Sequence, residues 1–254
     1  MVNWRHIFKE AVEVQPETNF NFAKALQFAF AGIIFFCLLL RIATWHPYFS
    51  DLPPLWRLLL GQLPFVLGGG GALLGLRDDL RQHGWRKVLN LPIQLPCHKK
   101  IFINELLKWI PAMLLIGALL NYLSTKLLTA FGMEQLPKQI LENIDFSAGV
   151  AFWLAAFFMA VILAPIYEEI LFRRILYQGL KSLRCSNPGL ITALLFSLAH
   201  GLPQAFATYI FLSLTLQKNC RKGSLWLAIA LHASYNCLVF AIIIAIKAMP
   251  ENLF

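Results

Sequence analysis

Long stretches without a charged residue dominate this chain of 254 residues. They cover residues 25–40, 58–76, 109–125, 147–167, 185–217 and 223–246. A helix needs about 20 apolar residues to cross about 30 Å of hydrocarbon, and most of these runs approach or exceed that length. Charged residues make up 14% of the chain and hydrophobic residues 58%, whereas soluble domains have roughly 25% and 45–50%. The pattern excludes a disordered chain, argues against a soluble one and predicts an all-α membrane protein.

The charge-free runs predict a multi-pass bundle of about seven membrane helices, within a range of six to eight. The predicted crossings are residues 23–43, 57–76, 103–123, 147–170, 188–201, 203–217 and 224–247. The run 185–217 is 33 residues long, which is about 50 Å as one helix and too long for one crossing. We therefore expect a break at Gly201-Leu202-Pro203.

Positive charge is concentrated between the predicted crossings. The net charge is +9, and 13 of the 22 Lys and Arg residues lie within 77–100, 173–187 and 218–222. Positive clusters mark the cytoplasmic side, so we predict that these three stretches are cytoplasmic loops, the first of them either a surface loop or a short interfacial helix. The charge then reflects topology and contact with lipid headgroups, and we expect no nucleic-acid partner. By the same argument Arg174 anchors a helix end at the membrane surface.

Three parts follow along the chain. Residues 1–22 mix Trp, Phe and Val with Arg, Lys and Glu, which is typical of an interfacial amphipathic helix. Residues 23–146 hold the first membrane helices and the basic loop at 77–100. Residues 147–247 hold the candidate catalytic core. The four glycines from Gly68 to Gly71 predict close helix packing rather than a ligand loop.

Charged groups at the end of one crossing are the first functional candidates, because a charge at mid-bilayer costs at least about 2.5–3.5 kcal/mol. Glu169 and Arg173 are four residues apart and share a helix face. Glu168 points in another direction and is free to face a cavity. Pro165, just upstream, leaves the carbonyl of Val161 without its helix partner, which opens the helix beside the pair.

Two further pairs have the same spacing of four residues, Phe196 with His200 and His232 with Asn236. At about 1.5 Å per helical residue, both histidines and the asparagine lie about 14–20 Å from the cytoplasmic ends of their helices. Glu168 lies at an overlapping depth. The side-chain set of Glu, His, His and Asn is therefore suited to acid–base chemistry inside the bundle.

These residues resemble the CPBP family of intramembrane proteases, which includes the CAAX prenyl endopeptidases and bacteriocin-processing or Abi-type proteins. The family pattern is Glu-Glu-x-x-x-Arg, then Phe-x-x-x-His, then His-x-x-x-Asn, and all three motifs are present in that order. The resemblance implies hydrolysis of a peptide bond within or near the membrane. It implies that Glu168 and His200 activate a water, and that His232 and Asn236 stabilise the oxyanion.

The same resemblance assigns supporting roles to Glu169 and Arg173, which shape the site, while Phe196 packs against it. The expected substrate is a peptide or a prenylated or otherwise membrane-anchored protein. A pro-peptide, a bacteriocin leader and a membrane-protein tail remain open. The expected location is a prokaryotic plasma membrane or an equivalent organelle membrane such as the thylakoid.

Two alternatives stay open. Glu168, His200 and His232 are a possible zinc set, but the His-Glu-x-x-His motif is absent, and we favour a site without a metal or other cofactor. A non-catalytic membrane scaffold or a bacteriocin self-immunity protein of the same fold is the alternative function, and a transporter with a buried carboxylate relay is a further one. The complete set of motif residues favours the enzyme.

Overall fold

The computed structural model describes residues 20–44, 54–89, 99–133, 149–222 and 225–248. Within these ranges the chain forms helices and no strand, which confirms the all-α class. The helices are α1 (Phe22–Thr44), α2 (Pro54–Gly75), α3 (Arg77–His83), α4 (Trp85–Val88), α5 (Lys99–Ala130), α6 (Val150–Ser182), α7 (Pro188–His200), α8 (Phe206–Lys222) and α9 (Leu225–Ala248). The predicted amphipathic segment 1–22 lies outside the described residues as far as residue 19, and the division into three parts stays a prediction.

Three of the described helices are long and apolar enough to cross a membrane. They are Phe102–Ala130 within α5, Val150–Ser182, which is α6, and Leu225–Ala245 within α9. Shorter apolar helices occur at Phe22–Ile34, Val66–Gly75 and Pro188–His200. The predicted membrane helical bundle is confirmed, while the number of crossings stays a prediction.

The break predicted in the longest charge-free run is present. α7 ends at His200, and Gly201 follows with φ 63°, in the left-handed region that favours glycine. A short 3₁₀ turn at Pro203–Ala205 then leads into α8. The turn separates two helices that lie side by side.

The described parts of the basic stretches are mostly helical. The prediction of a loop was wrong in form for 173–182 and 218–222, whereas short helices were one of the two forms predicted for 77–100. α3 and α4 occupy residues 77–83 and 85–88, and α8 includes residues 218–222. α6 continues unbroken through Arg173 to Ser182. The charges did not end this helix because Arg173 finds its partners inside the protein, as described below. The cytoplasmic location of the three stretches stays a prediction.

Glycines bring α1 and α2 into backbone contact. A Cβ added to Gly68 would lie 2.6 Å from the Ile33 side chain, and one added to Gly75 would lie 2.6 Å from the Cα of Ala25. Only small residues permit such an approach between membrane helices. Within the glycine run, Gly68 and Gly71 therefore pack α2 against α1, as the sequence indicated, whereas a Cβ at Gly69 or Gly70 would meet nothing within 4 Å.

Two apolar cores flank the junction of α6, α7, α8 and α9. The first joins α1, α2, α6 and α7 and contains Ile175 and Phe196. The second joins α5, α8 and α9 and contains Met113 and Leu231. Tyr209 of α8 packs against both cores, which places the start of α8 at this junction.

α6 is not a regular α-helix throughout. Two segments, Phe158–Leu163 and Ile170–Leu176, have π-type hydrogen bonds that span five residues, a rare feature that is frequent at functional sites. In the first segment the hydrogen bonds span five residues. In that spacing the carbonyl opposite residue 165 is that of Ala160, and Pro165 has no N–H to donate to it. The free carbonyl of Val161, which follows from the four-residue spacing of a regular helix, stays a prediction.

Candidate active site

Arg173 and Glu169 form a buried ion pair within α6. The Arg173 Nε donates to Glu169 Oε2 at 2.8 Å, and both side chains are fully buried. A second guanidinium nitrogen, Nη1, donates to Ser213 Oγ of α8 at 2.7 Å. The guanidinium also lies over the Phe196 ring, 5.0 Å from its centroid, at cation–π distance. The predicted contact between Glu169 and Arg173 is present, and α7 and α8 complete the surroundings of the arginine.

His232 of α9 lies between the two adjacent glutamates. Its Nδ1 is 2.9 Å from Glu169 Oε1, and its Nε2 is 3.9 Å from Glu168 Oε2. An ionised carboxylate only accepts hydrogen bonds, and Arg173 favours the ionised form of Glu169, so Nδ1 carries the hydrogen. This contact orients the ring and presents Nε2 to Glu168. The two glutamates leave the helix in different directions, as predicted, yet they reach opposite edges of one imidazole.

Glu168 has a buried carboxylate oxygen without a hydrogen-bond partner among the described residues. The residue is 7% exposed, and its Oε2 has no hydrogen-bond partner among the residues that the structure describes. A buried polar atom of this kind normally has a partner. The 3.9 Å to His232 is too long for a direct hydrogen bond, but a water that bonds to both groups fits the separation. Glu168 therefore retains an acceptor for a water or a substrate.

His200 of α7 is oriented by its own helix and by two aromatic rings. Its Nδ1 is 2.7 Å from the carbonyl oxygen of Phe196. Because a carbonyl only accepts, Nδ1 carries the hydrogen and Nε2 has the lone pair. The Tyr209 ring stacks on the imidazole at 3.9 Å and 27°, and the Phe196 ring is 4.6 Å away. No described hydrogen bond joins His200 to Glu168 or His232, so the structure brings His200 to the same junction without a direct link.

Asn236 of α9 is bound to the backbone of α6. Its Nδ2 donates to the carbonyl of Ala160 at 2.8 Å. In this part of α6 the N–H of Ala164 donates to the carbonyl of Met159, five residues back. The next N–H in that register belongs to residue 165, and proline has none. Asn236 thus satisfies the carbonyl that Pro165 leaves free, and the second hydrogen of its amide remains available.

Two residues at the site were not predicted from the sequence, Ser213 and Tyr209. Both belong to α8, whose buried face carries several polar side chains, including Thr208 and Thr215. Polar groups in a charge-free run signal internal hydrogen bonds, and that signal was available for Ser213. Tyr209 gave no signal, since an aromatic residue in an apolar run is typical of packing.

Arg174 also differs from expectation. Its side chain is buried, its Nε donates to the carbonyl of Val88 at 2.8 Å, and its guanidinium lies 5.0 Å from the centroid of the Phe22 ring. The prediction of an interfacial anchor was wrong for this residue, because α1 and α4 supply its partners. Arg174 joins the end of α4 to the helix that carries the glutamates.

The zinc alternative was tested against the donor positions. Among the described residues no group of three or more His, Cys, Asp or Glu side chains is arranged to hold a metal ion. The hydrogen bonds of His200 and His232 involve Nδ1, so Nε2 would be the atom of each ring that binds a metal. As placed, Glu168, His200 and His232 do not fit a zinc centre, and whether the protein needs a metal stays open to experiment.

Comparison with known proteins finds a match for the part of the chain that contains these residues. Residues 150–238 match the family model described as type II CAAX prenyl endopeptidase Rce1-like. The match includes all three motifs, from Glu168 to Asn236. No curated protein and no solved structure matches the chain. Over residues 150–238, the chain is similar to the CAAX protease family that its motifs resemble.

Proposed function

We propose that this protein is an intramembrane endopeptidase that hydrolyses a peptide bond of a membrane-associated substrate. The observation that carries the proposal is the buried Oε2 of Glu168, which has no partner among the described residues and lies 3.9 Å from His232. A group kept only for structure is expected to be hydrogen-bonded when buried. An acceptor left free beside an oriented imidazole is instead what a water-activating site requires.

In the proposed reaction Glu168 and His200 activate the attacking water. The lone pair on His200 Nε2 and the free oxygen of Glu168 are the two acceptors for its protons. The attack converts the scissile carbonyl into a tetrahedral oxyanion, and the proton taken from water is later given to the leaving amine. Preorganised donors at such an oxyanion are worth about 10²–10³ in rate for each donor.

His232 and Asn236 are the proposed oxyanion donors. Because Nδ1–H of His232 is already given to Glu169, His232 donates to the oxyanion through Nε2–H in its imidazolium form, in which both nitrogens carry hydrogen. Glu169 fixes the His232 ring through Nδ1, and Arg173 fixes Glu169. The Ala160 carbonyl fixes the Asn236 amide. Donors that are already held before the substrate arrives need little reorganisation during the reaction, which is how the surrounding pairs contribute to catalysis.

The substrate and membrane are proposed from the family and the charge pattern. The matched family is described by CAAX prenyl substrates, so a prenylated C-terminal peptide is the first substrate to test, followed by unprenylated pro-peptides. The basic stretches at 77–100, 173–187 and 218–222 are placed on the cytoplasmic side. A plasma membrane of a prokaryote, or an equivalent organelle membrane, is the proposed location.

The test uses purified protein in lipid nanodiscs with a library of prenylated and unprenylated peptides. We expect cleavage by the wild type and a loss of at least about 10²-fold for both Glu168→Ala and His200→Ala, since each removes a group from the reacting centre. Glu105→Gln is the matched control, because Glu105 is a carboxylate of α5 that accepts from Trp109 away from the motifs.

Persistence of cleavage in both variants would contradict the mechanism. A wild type that cuts no peptide would favour the alternative, a non-catalytic scaffold or self-immunity protein of the same fold.

A further inference from the structure

We propose that Pro165 is a positioning residue for Asn236. By removing one backbone N–H from α6 it keeps the Ala160 carbonyl free, and this carbonyl holds the Asn236 amide at the site. The proposal rests on the proposed function only in the role that it gives to Asn236. The contact itself joins residues 76 positions apart in sequence.

The hydrogen-bond register of α6 makes the proline necessary. A carbonyl inside a helix is normally occupied by an N–H of the following turn. Here the N–H of Ala164 is already used by the carbonyl of Met159, and residue 165 is the next donor in the five-residue spacing. If this five-residue spacing continues by one residue, any other amino acid at 165 would supply an N–H to Ala160 and compete with Asn236. Proline is the one residue without that hydrogen.

The hydrogen bond to the Ala160 carbonyl decides which end of the Asn236 amide faces the site. A carbonyl accepts only, so the Asn236 Nδ2 points towards α6 and its second hydrogen remains for another acceptor. Without this hydrogen bond the terminal torsion of asparagine is broad and nearly two-fold, and the amide turns over readily. The oxygen Oδ1 would then face the developing oxyanion, where an acceptor is unfavourable.

Pro165 also belongs to the same turn as the glutamates. It is fully buried, and it lies three residues before Glu168, on a neighbouring part of the helix face. The α-helical segment Ala164–Glu169 is enclosed by the two π segments. One turn of α6 therefore carries both Glu168, the candidate base, and Pro165, which positions the Asn236 amide of α9.

The test is a double-mutant cycle between position 165 and Asn236, measured as thermal unfolding in nanodiscs. In the wild type, Asn236→Ala strands a buried carbonyl, and we expect Tm to fall by about 2–4 °C. In the Pro165→Ala background the new N–H satisfies Ala160, and the same change should lower Tm by less than about 1 °C. Pro165→Val, which keeps more of the buried volume, is the second background if the alanine variant does not fold.

Activity supplies the second readout. We expect Pro165→Ala to lower kcat by about 10-fold with KM within about twofold, because binding is kept and transition-state stabilisation is lost. Pro111→Ala is the matched control, since Pro111 lies inside the continuous helix α5 and is exposed; its kcat should stay at the wild-type value.

An equal Tm loss for Asn236→Ala in both backgrounds would overturn the proposal, and so would an unchanged kcat for Pro165→Ala. The thermal cycle needs no substrate. A wild type that cleaves nothing therefore counts against the proposed function, while the cycle alone still decides whether Pro165 keeps Ala160 free.

Discussion

Removal of the Ser213 hydroxyl should destabilise the protein through the arginine that it binds. Ser213 Oγ accepts from Arg173 Nη1 at 2.7 Å, and the residues are 1% and 2% exposed. Ser213→Ala leaves a charged N–H without an acceptor in a place that water does not reach. Hydrogen bonds to charged groups contribute about 1.5–3 kcal/mol each, so we expect a loss of about 2 kcal/mol and a fall in Tm of about 4–8 °C.

Two variants control for the loss of a hydroxyl. Ser213→Thr keeps the oxygen and should restore most of the Tm. Ser197→Ala removes a hydroxyl that is equally buried but donates to the neutral carbonyl of Phe206 at 2.8 Å. A neutral hydrogen bond contributes about 1 kcal/mol, so its Tm loss should be about half that of Ser213→Ala.

The assay is thermal unfolding of the three variants in nanodiscs, followed by tryptophan fluorescence. If the oxygen matters through Arg173, the order of Tm is wild type, then Ser213→Thr, then Ser197→Ala, then Ser213→Ala. The reasoning is refuted if Ser213→Ala unfolds no earlier than Ser197→Ala, or if Ser213→Thr is as unstable as Ser213→Ala.

Two further predictions concern the chemistry of the site. Tyr209→Phe keeps the ring stacked on His200 and should retain cleavage within about threefold, whereas Tyr209→Leu should lower kcat by about 10-fold because the imidazole loses its orientation. A rate lost equally in both variants would show instead that the hydroxyl is required. Because Glu168, His200 and His232 do not form a metal cluster as placed, prolonged chelation should leave the cleavage rate unchanged, and a loss that added Zn²⁺ restores would establish the zinc alternative.

Local spacing was enough to predict several features of the molecule. The contact between Glu169 and Arg173 followed from their separation of four residues, which survives the change to five-residue hydrogen bonds nearby. The break after His200 followed from Gly201 and the excess length of the run. In each case the physical cause acts within one or two helical turns, so sequence separation alone carries the information.

The choice of partners between helices was decided by the tertiary structure. The sequence left Glu168 and Glu169 equivalent with respect to His232. Only the packing of α9 on α6 shows that Nδ1 contacts Glu169, while Glu168 Oε2 lies 3.9 Å from Nε2 and has no hydrogen-bond partner among the described residues. Arg174 was expected at the membrane surface, but α1 and α4 surround it.

The sequence by itself determined the class of protein and supplied the candidate site residues, because charge-free length and short-range motif spacing are local properties. The tertiary structure alone decided what holds those residues. The Ser213 hydroxyl and the Ala160 carbonyl bind groups that are 40 and 76 positions away in sequence, and no local pattern encodes such pairs. The register of α6, shifted by its π segments, selected the carbonyl that Pro165 leaves for Asn236.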